Sequence, residues 1–158
     1  MSNINSLPRW LKPANKLVIA LQRMGLPLGT IHVLAVPGRR SGKMRTTPVS
    51  LMTVGGTRYI IGGAAQADWV KNAQASGWGI LGYGRKTERV ALVELPVEER
   101  PAILREFPRQ VPHGVPYFQR VYGLPKDPAL LPDAFANLAP NSPVFRVEAL
   151  DAARARAA

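Results

Sequence analysis

The sequence predicts an α+β protein built on an antiparallel sheet closed into a small barrel, and three observations carry that expectation. Short apolar, β-branched runs recur along the chain, glycine-bearing turns join several of them as hairpins, and only short helical stretches separate the rest. With 158 residues, 46% of them hydrophobic, the chain suffices for one core, so residues 1–158 are read as one domain.

The elements follow in order. "ANKLVIALQRM" places Ala14, Leu17, Val18, Leu21 and Met24 on one face of a first helix, with Pro13 suited to its first turn and Gly25 to its end. "TIHVLAV" reads as a strand running into a turn at Gly38, and "TTPVSLMTV" with "TRYIIGG" reads as a hairpin turning at Gly55-Gly56. Pro48 lacks an amide hydrogen and is expected at a strand start or edge. "ADWVKNAQAS" predicts a short helix capped by Asp68. "WGILGYG" and "ERVALVEL" predict two strands turning at Arg85-Lys86, and "PVEERPAILREF" a further helix with Glu98 and Glu99 in its first turn. An irregular, proline-rich connection over residues 108–143 leads to a last strand in "SPVFRVEAL", and the tail beyond Asp151 is expected to fray.

Composition limits the function classes. No apolar run approaches the roughly 18 residues of a membrane-spanning helix. The first residues lack the pattern of a secretory signal, and the absence of cysteine excludes disulfides and thiolate metal sites. The cytoplasm is therefore the expected compartment. With only His32 and His113 as histidines, no metal site is expected. The net charge is +11, and residues 1–60 hold nine Lys or Arg but no Asp or Glu, Asp68 being the first acid. Such a field attracts phosphate-bearing ligands, anionic membrane or nucleic acid. Nucleic acid is disfavoured, because no Trp, Tyr or Phe occurs over residues 11–58 to stack on bases. Arg9, Trp10, Lys12 and Lys16 beside the apolar face of the first helix form the pattern of a peripheral membrane or lipid contact, and packing of that helix on the barrel is the alternative.

The charge concentrates in "GRRSGKMRTTPV", where Arg39, Arg40, Lys43 and Arg45 alternate with Gly38, Gly42, Ser41, Thr46 and Thr47. Glycines let backbone amides approach an anion, hydroxyls donate to its oxygens, and arginine suits bidentate contacts to phosphate or carboxylate. It is not a Walker loop, because Ser41 precedes Gly42 and Lys43 and the GK[ST] ending is missing.

This stretch resembles the G-R-K-[ST]-G-x-x-R-x-x-P motif of the deazaflavin-dependent nitroreductase family, split-barrel oxidoreductases that use coenzyme F420. The order of the remaining pieces is similar too, with "DWVKNA" at the place of P-x-W-Y-x-N-L, then "RVALVEL", "VEERPAIL" and "SPVFRVEAL", so that the likeness covers roughly residues 10–150. It implies a flavin-reductase-like split barrel with an N-terminal helix and two or three short helices. It also implies hydride transfer from F420H2 to a small organic acceptor such as a quinone, nitroaromatic or enone. Carried over by position, Arg39, Arg40, Ser41, Arg45, Thr46, Thr47 and Pro48 would hold the anionic arm of F420, its phosphodiester and glutamate tail. Val49 would lead under the deazaflavin, Trp69 and Asn72 would lie near it, and Tyr117 and Tyr122 would be the substrate-side proton donors, with His113 as another candidate. The chain departs from the family in having Val70 for the usual Tyr and no lysine in "IIGGAAQADWV". An FMN-binding split-barrel oxidoreductase is the alternative enzyme, since an FMN phosphate would also use Arg45 and the two threonines. A homodimer is expected by the same resemblance.

Overall fold

The computed structural model describes residues 31–150 together with Lys16, Ile19 and Ala20, which are helical. The remainder of the predicted first helix, and the tail beyond residue 150, lie outside the described residues. Six strands follow, β1 (Ile31–Pro37), β2 (Met44–Val54), β3 (Thr57–Ile61), β4 (Trp78–Tyr83), β5 (Lys86–Glu94) and β6 (Val144–Ala149). They close into an antiparallel barrel in the order β1-β2-β3-β6-β5-β4. The fold class predicted from the sequence is the one observed.

Side-chain alternation sorts the barrel wall. Leu34 and Val36, Val49 and Leu51, Ile60, Leu81, Val90 and Leu92, Phe145 and Val147 form the interior cluster, as the period of two in a strand requires. Residues of the opposite parity, Met52, Val54, Tyr59, Ile61 and Val144, belong to a second cluster outside the wall. The β2–β3 hairpin turns on Gly55 and Gly56, whose φ values of 58° and 79° are those of a two-residue primed turn. Residues 44–50 of β2 pair with β1 alone, because pairing with β3 begins at Leu51. Pro48 therefore occupies a stretch with a neighbour on one side only, where a missing N–H is tolerated.

One end of the barrel is closed by helix α1 (Asp68–Ser76), which places Val70 and Ala73 on the interior cluster. Asp68 does not cap it. Ala67 holds the cap position without a side-chain hydrogen bond, and Asp68 stands in the first turn, where a negative charge favours the helix dipole. The opposite end carries an Arg58–Glu88 ion pair and a His32–Tyr83 stack with ring centroids 4.4 Å apart.

The second cluster is roofed by short helices, α2 (Arg100–Leu104), α3 (Phe107–Gln110), α4 (Val115–Tyr122) and α5 (Leu131–Ala136), with 3-10 turns at Val97–Glu99, Pro112–Gly114 and Pro128–Leu130. The segment expected to be one helix over residues 96–107 is thus broken into a 3-10 turn and α2. The connection over residues 108–143, expected to be irregular, is mostly helical. Prolines at the first helical positions of α2 to α5 are compatible with helix starts, and the apolar faces bury Phe107, Phe118 and Phe135, whose rings lie within 5.0 Å of one another. Arg100 locks this roof to the barrel. It is 7% exposed and donates to the carbonyls of Leu95 at 3.0 Å and Ala139 at 2.9 Å and to Glu94 Oε1 at 3.0 Å.

Candidate functional site

The loop joining β1 to β2 is closed on itself before it meets anything else. Gly38 N donates to Lys43 O at 2.8 Å, Gly42 N to Gly38 O at 2.8 Å, and Lys43 N to Ser41 Oγ at 3.2 Å. Gly42 takes a φ of 72°, which a side chain would resist. The basic residues of this hairpin tip therefore stand on a defined backbone.

The loop docks on α1 through Asn72. The Asn72 side chain is 5% exposed, and its Oδ1 accepts from Arg39 N at 3.1 Å and from Arg39 Nη1 at 2.9 Å. Arg39 Nη2 reaches Asp68 Oδ1 at 3.2 Å. Because the Asp68 side chain is 87% exposed, that pair contributes about 1 kcal/mol or less to stability, and the buried Asn72 contact is the anchor. Sequence reasoning treated Asn72 as a coenzyme-side residue; its acceptor oxygen is engaged by Arg39.

Between loop and helix lies a cavity of about 620 Å³ lined by Gly38, Arg39, Arg40, Ser41, Arg45, Thr46, Thr47, Asp68, Trp69 and Asn72, within the size range of small-molecule sites. It brings together eight of the ten residues that the resemblance assigns to the coenzyme, all but Pro48 and Val49. Among the described residues no carboxylate pairs with Arg40, Lys43 or Arg45. Ser41, Thr46 and Thr47 line the same cavity as the arginines, and hydroxyl and guanidinium donors together suit oxyanions. Trp69 lines the cavity, and its indole packs toward Phe145, ring centroids 6.0 Å apart. Pro48 and Val49 continue β2 past the lining, with Val49 buried in the barrel core.

Tyr117 and Tyr122 do not line this cavity. Both stand on α4, where Tyr122 donates its hydroxyl to Gly63 O at 2.6 Å and the Tyr117 ring lies so close to Gly63 that a Cβ there would meet its Cε1 at 2.9 Å. Burial pushes both phenols above their ordinary value of 10.0, and for Tyr117 the neighbouring Tyr122 adds to the rise. Both are neutral donors at physiological pH. His113 is exposed in the 3-10 turn before α4. The described residues hold no group of three His, Cys, Asp or Glu fit for a metal ion.

The closed six-stranded antiparallel barrel with its short helices is the fold of the split-barrel flavin and deazaflavin reductase-like proteins. Residues 15–122 match the F420H(2)-dependent quinone reductase family, and the chain belongs to that family. It is an F420H2-dependent oxidoreductase with coenzyme F420 as its cofactor. Solved structures of similar fold include an F420-H2 dependent reductase, FDR-A, at 22% identity and a TM-score of 0.53 over 78% of this chain and 98% of that one. Another, described as a domain-swapped dimer, has 20% identity and a TM-score of 0.53 over 88% and 97% of the two chains. A protein of unknown function from Agrobacterium tumefaciens, Atu2129, has 15% identity and a TM-score of 0.52 over 91% of this chain and 57% of that one. No curated protein matches the sequence.

The residues present fit the coenzyme's anionic arm. The cavity has a small-molecule volume, two arginines without a carboxylate partner among the described residues, and hydroxyl-bearing residues in its lining. Arg100 has an architectural role that the sequence does not reveal, because a lone cation after two acids looks the same as one on a solvated face.

Proposed function

We propose that the cavity between the β1–β2 loop and α1 holds the phosphodiester and carboxylate arm of coenzyme F420, and that a quinone, nitroaromatic or enone is reduced on the side of Tyr117 and Tyr122. The observation that carries this reading is the uncompensated charge of Arg40 and Arg45 in a cavity that also presents Ser41, Thr46 and Thr47. When bound, the reduced coenzyme supplies a hydride from a ring carbon. The chain's part is to bind and orient it and to provide a proton.

Arg40 and Arg45 bind the anionic groups, and the three hydroxyls donate to the remaining oxygens. Arg39 holds the loop on Asn72 through its backbone amide and Nη1, and its remaining guanidinium N–H groups are left for the anion. Pro48 stiffens β2 as it leaves the cavity, Val49 packs beneath it, and Trp69 offers an aromatic wall. Tyr117, neutral and with its hydroxyl beside Gly63, donates a proton to the reduced acceptor; such a donor contributes about 10²- to 10⁴-fold in rate. Tyr122 fixes α4 through the Gly63 carbonyl.

The experiment is a titration with F420, FMN and FAD followed by intrinsic tryptophan fluorescence. Saturable binding of F420 is expected, and tight binding of FMN with no response to F420 would overturn the reading. No described helix is long and apolar enough to cross a membrane. The basic, apolar pattern around Arg9, Trp10, Lys12 and Lys16 supports peripheral contact of a cytoplasmic protein with anionic lipid, checked by co-sedimentation with phosphatidylglycerol vesicles. The domain-swapped dimer among proteins of this fold supports a homodimer, checked by analytical ultracentrifugation.

A further inference from the structure

The α1 wall of the cavity carries a carboxylate where an anion site gains nothing from one. Asp68 lines the cavity, its side chain is 87% exposed, and its Oδ1 lies 3.2 Å from Arg39 Nη2. It is not needed to place Arg39, which Asn72 already fixes through the backbone amide at 3.1 Å and Nη1 at 2.9 Å. What Asp68 changes is the field. It offsets the charge of Arg39 across the cavity, while Arg40 and Arg45 have no carboxylate partner among the described residues. The cavity is cationic at Arg40 and Arg45 and offset at the Arg39–Asp68 pair, where α1 presents an exposed carboxylate.

An ionised carboxylate can only accept hydrogen bonds. It therefore welcomes a hydroxyl or amide N–H and repels a second anionic group, which is discrimination by a repulsive element as much as by an attractive one. We propose that Asp68 is a specificity-determining residue: it reserves the α1 wall for the uncharged, hydrogen-bond-donating part of the ligand and confines the ligand's anionic group to Arg40 and Arg45. The inference rests on the cavity being the site of the coenzyme's arm. Compact polyanions, which bring further negative charge close to Asp68, are disfavoured by the same charge.

Calorimetric titration of the full-length protein with F420 and with inorganic pyrophosphate, at low ionic strength, tests it. Asp68→Asn keeps the shape of the side chain and an oxygen able to accept from Arg39. The expected result is a pyrophosphate affinity raised about tenfold, while the F420 dissociation constant stays within about threefold of wild type. Asp68→Glu retains the charge and should leave pyrophosphate binding weak. Unchanged pyrophosphate affinity in Asp68→Asn, or an equal gain in Asp68→Glu, overturns the inference, provided that Arg45→Ala weakens F420 binding and so leaves the cavity assignment standing. If Arg45→Ala affects neither ligand, the cavity assignment itself falls and takes the inference with it.

Discussion

Arginines serve two opposite purposes on the two sides of this barrel. Arg100, beneath the helical roof, is 7% exposed, and its guanidinium is matched by two carbonyls and a carboxylate. Arg40 and Arg45, on the hairpin tip, line an open cavity and have no acidic partner among the described residues. Residue type and charge are the same. A buried guanidinium must be paired where it stands, so it joins elements, whereas an exposed one keeps its donors for a ligand. Arg39 stands between them, half committed to Asn72 and Asp68.

The sharpest way to break the contrast is Arg100→Ala, which takes the guanidinium donors from the Leu95 and Ala139 carbonyls and the ion pair from Glu94, which keeps only Gln74 Nε2 at 3.1 Å. A loss of about 3 kcal/mol in stability is expected, read from the urea midpoint, with the coenzyme dissociation constant of the folded protein unchanged. On the roof side, Tyr117→Phe is expected to slow turnover of a quinone about 10²-fold, a barrier increase of about 2.7 kcal/mol, while F420 affinity moves by less than about threefold. Tyr122→Phe should cost less, since it removes a fixing contact. Unchanged turnover in both would take tyrosine out of the mechanism.

On the cavity side, Arg40→Ala combined with Arg45→Ala should weaken F420 binding by about 2 kcal/mol or more. The effect should shrink as salt is added, and the urea midpoint should stay within about 0.5 kcal/mol of wild type. Asn72→Ala should do some of each, costing about 1–2 kcal/mol of stability for the lost buried acceptor and loosening the loop enough to raise the F420 dissociation constant. Equal midpoints for Asn72→Ala and wild type would show that the loop does not depend on α1.

The smallest effect is one of pH. An unfolded tyrosine ionises near its ordinary value of 10.0, but burial raises the folded value for Tyr117 and Tyr122. Above about pH 10 the unfolded chain releases protons that the fold retains, so stability holds below that pH and falls as pH rises through the folded values. Tyr117→Phe should flatten part of that fall in urea midpoints compared between about pH 8 and 11.

What the sequence by itself determined was whatever is local. The strands followed from apolar alternation, the β2–β3 turn from adjacent glycines, and the anion loop from arginines and hydroxyls packed into one short stretch, all signals carried by near neighbours. The roof helices over residues 108–143 escaped because prolines masked them, and their apolar faces acquire a purpose only against Met52, Val54 and Tyr59 on the outer wall of the barrel. Which arginine is free was likewise a tertiary matter. Asn72 meets Arg39 across 33 residues of chain, Arg100 meets Ala139 across 39, and Tyr122 meets Gly63 across 59. A charge's partner is set by distance in space, and only closure of the barrel, with α1 on its end and the roof on its side, brought those groups within hydrogen-bonding reach.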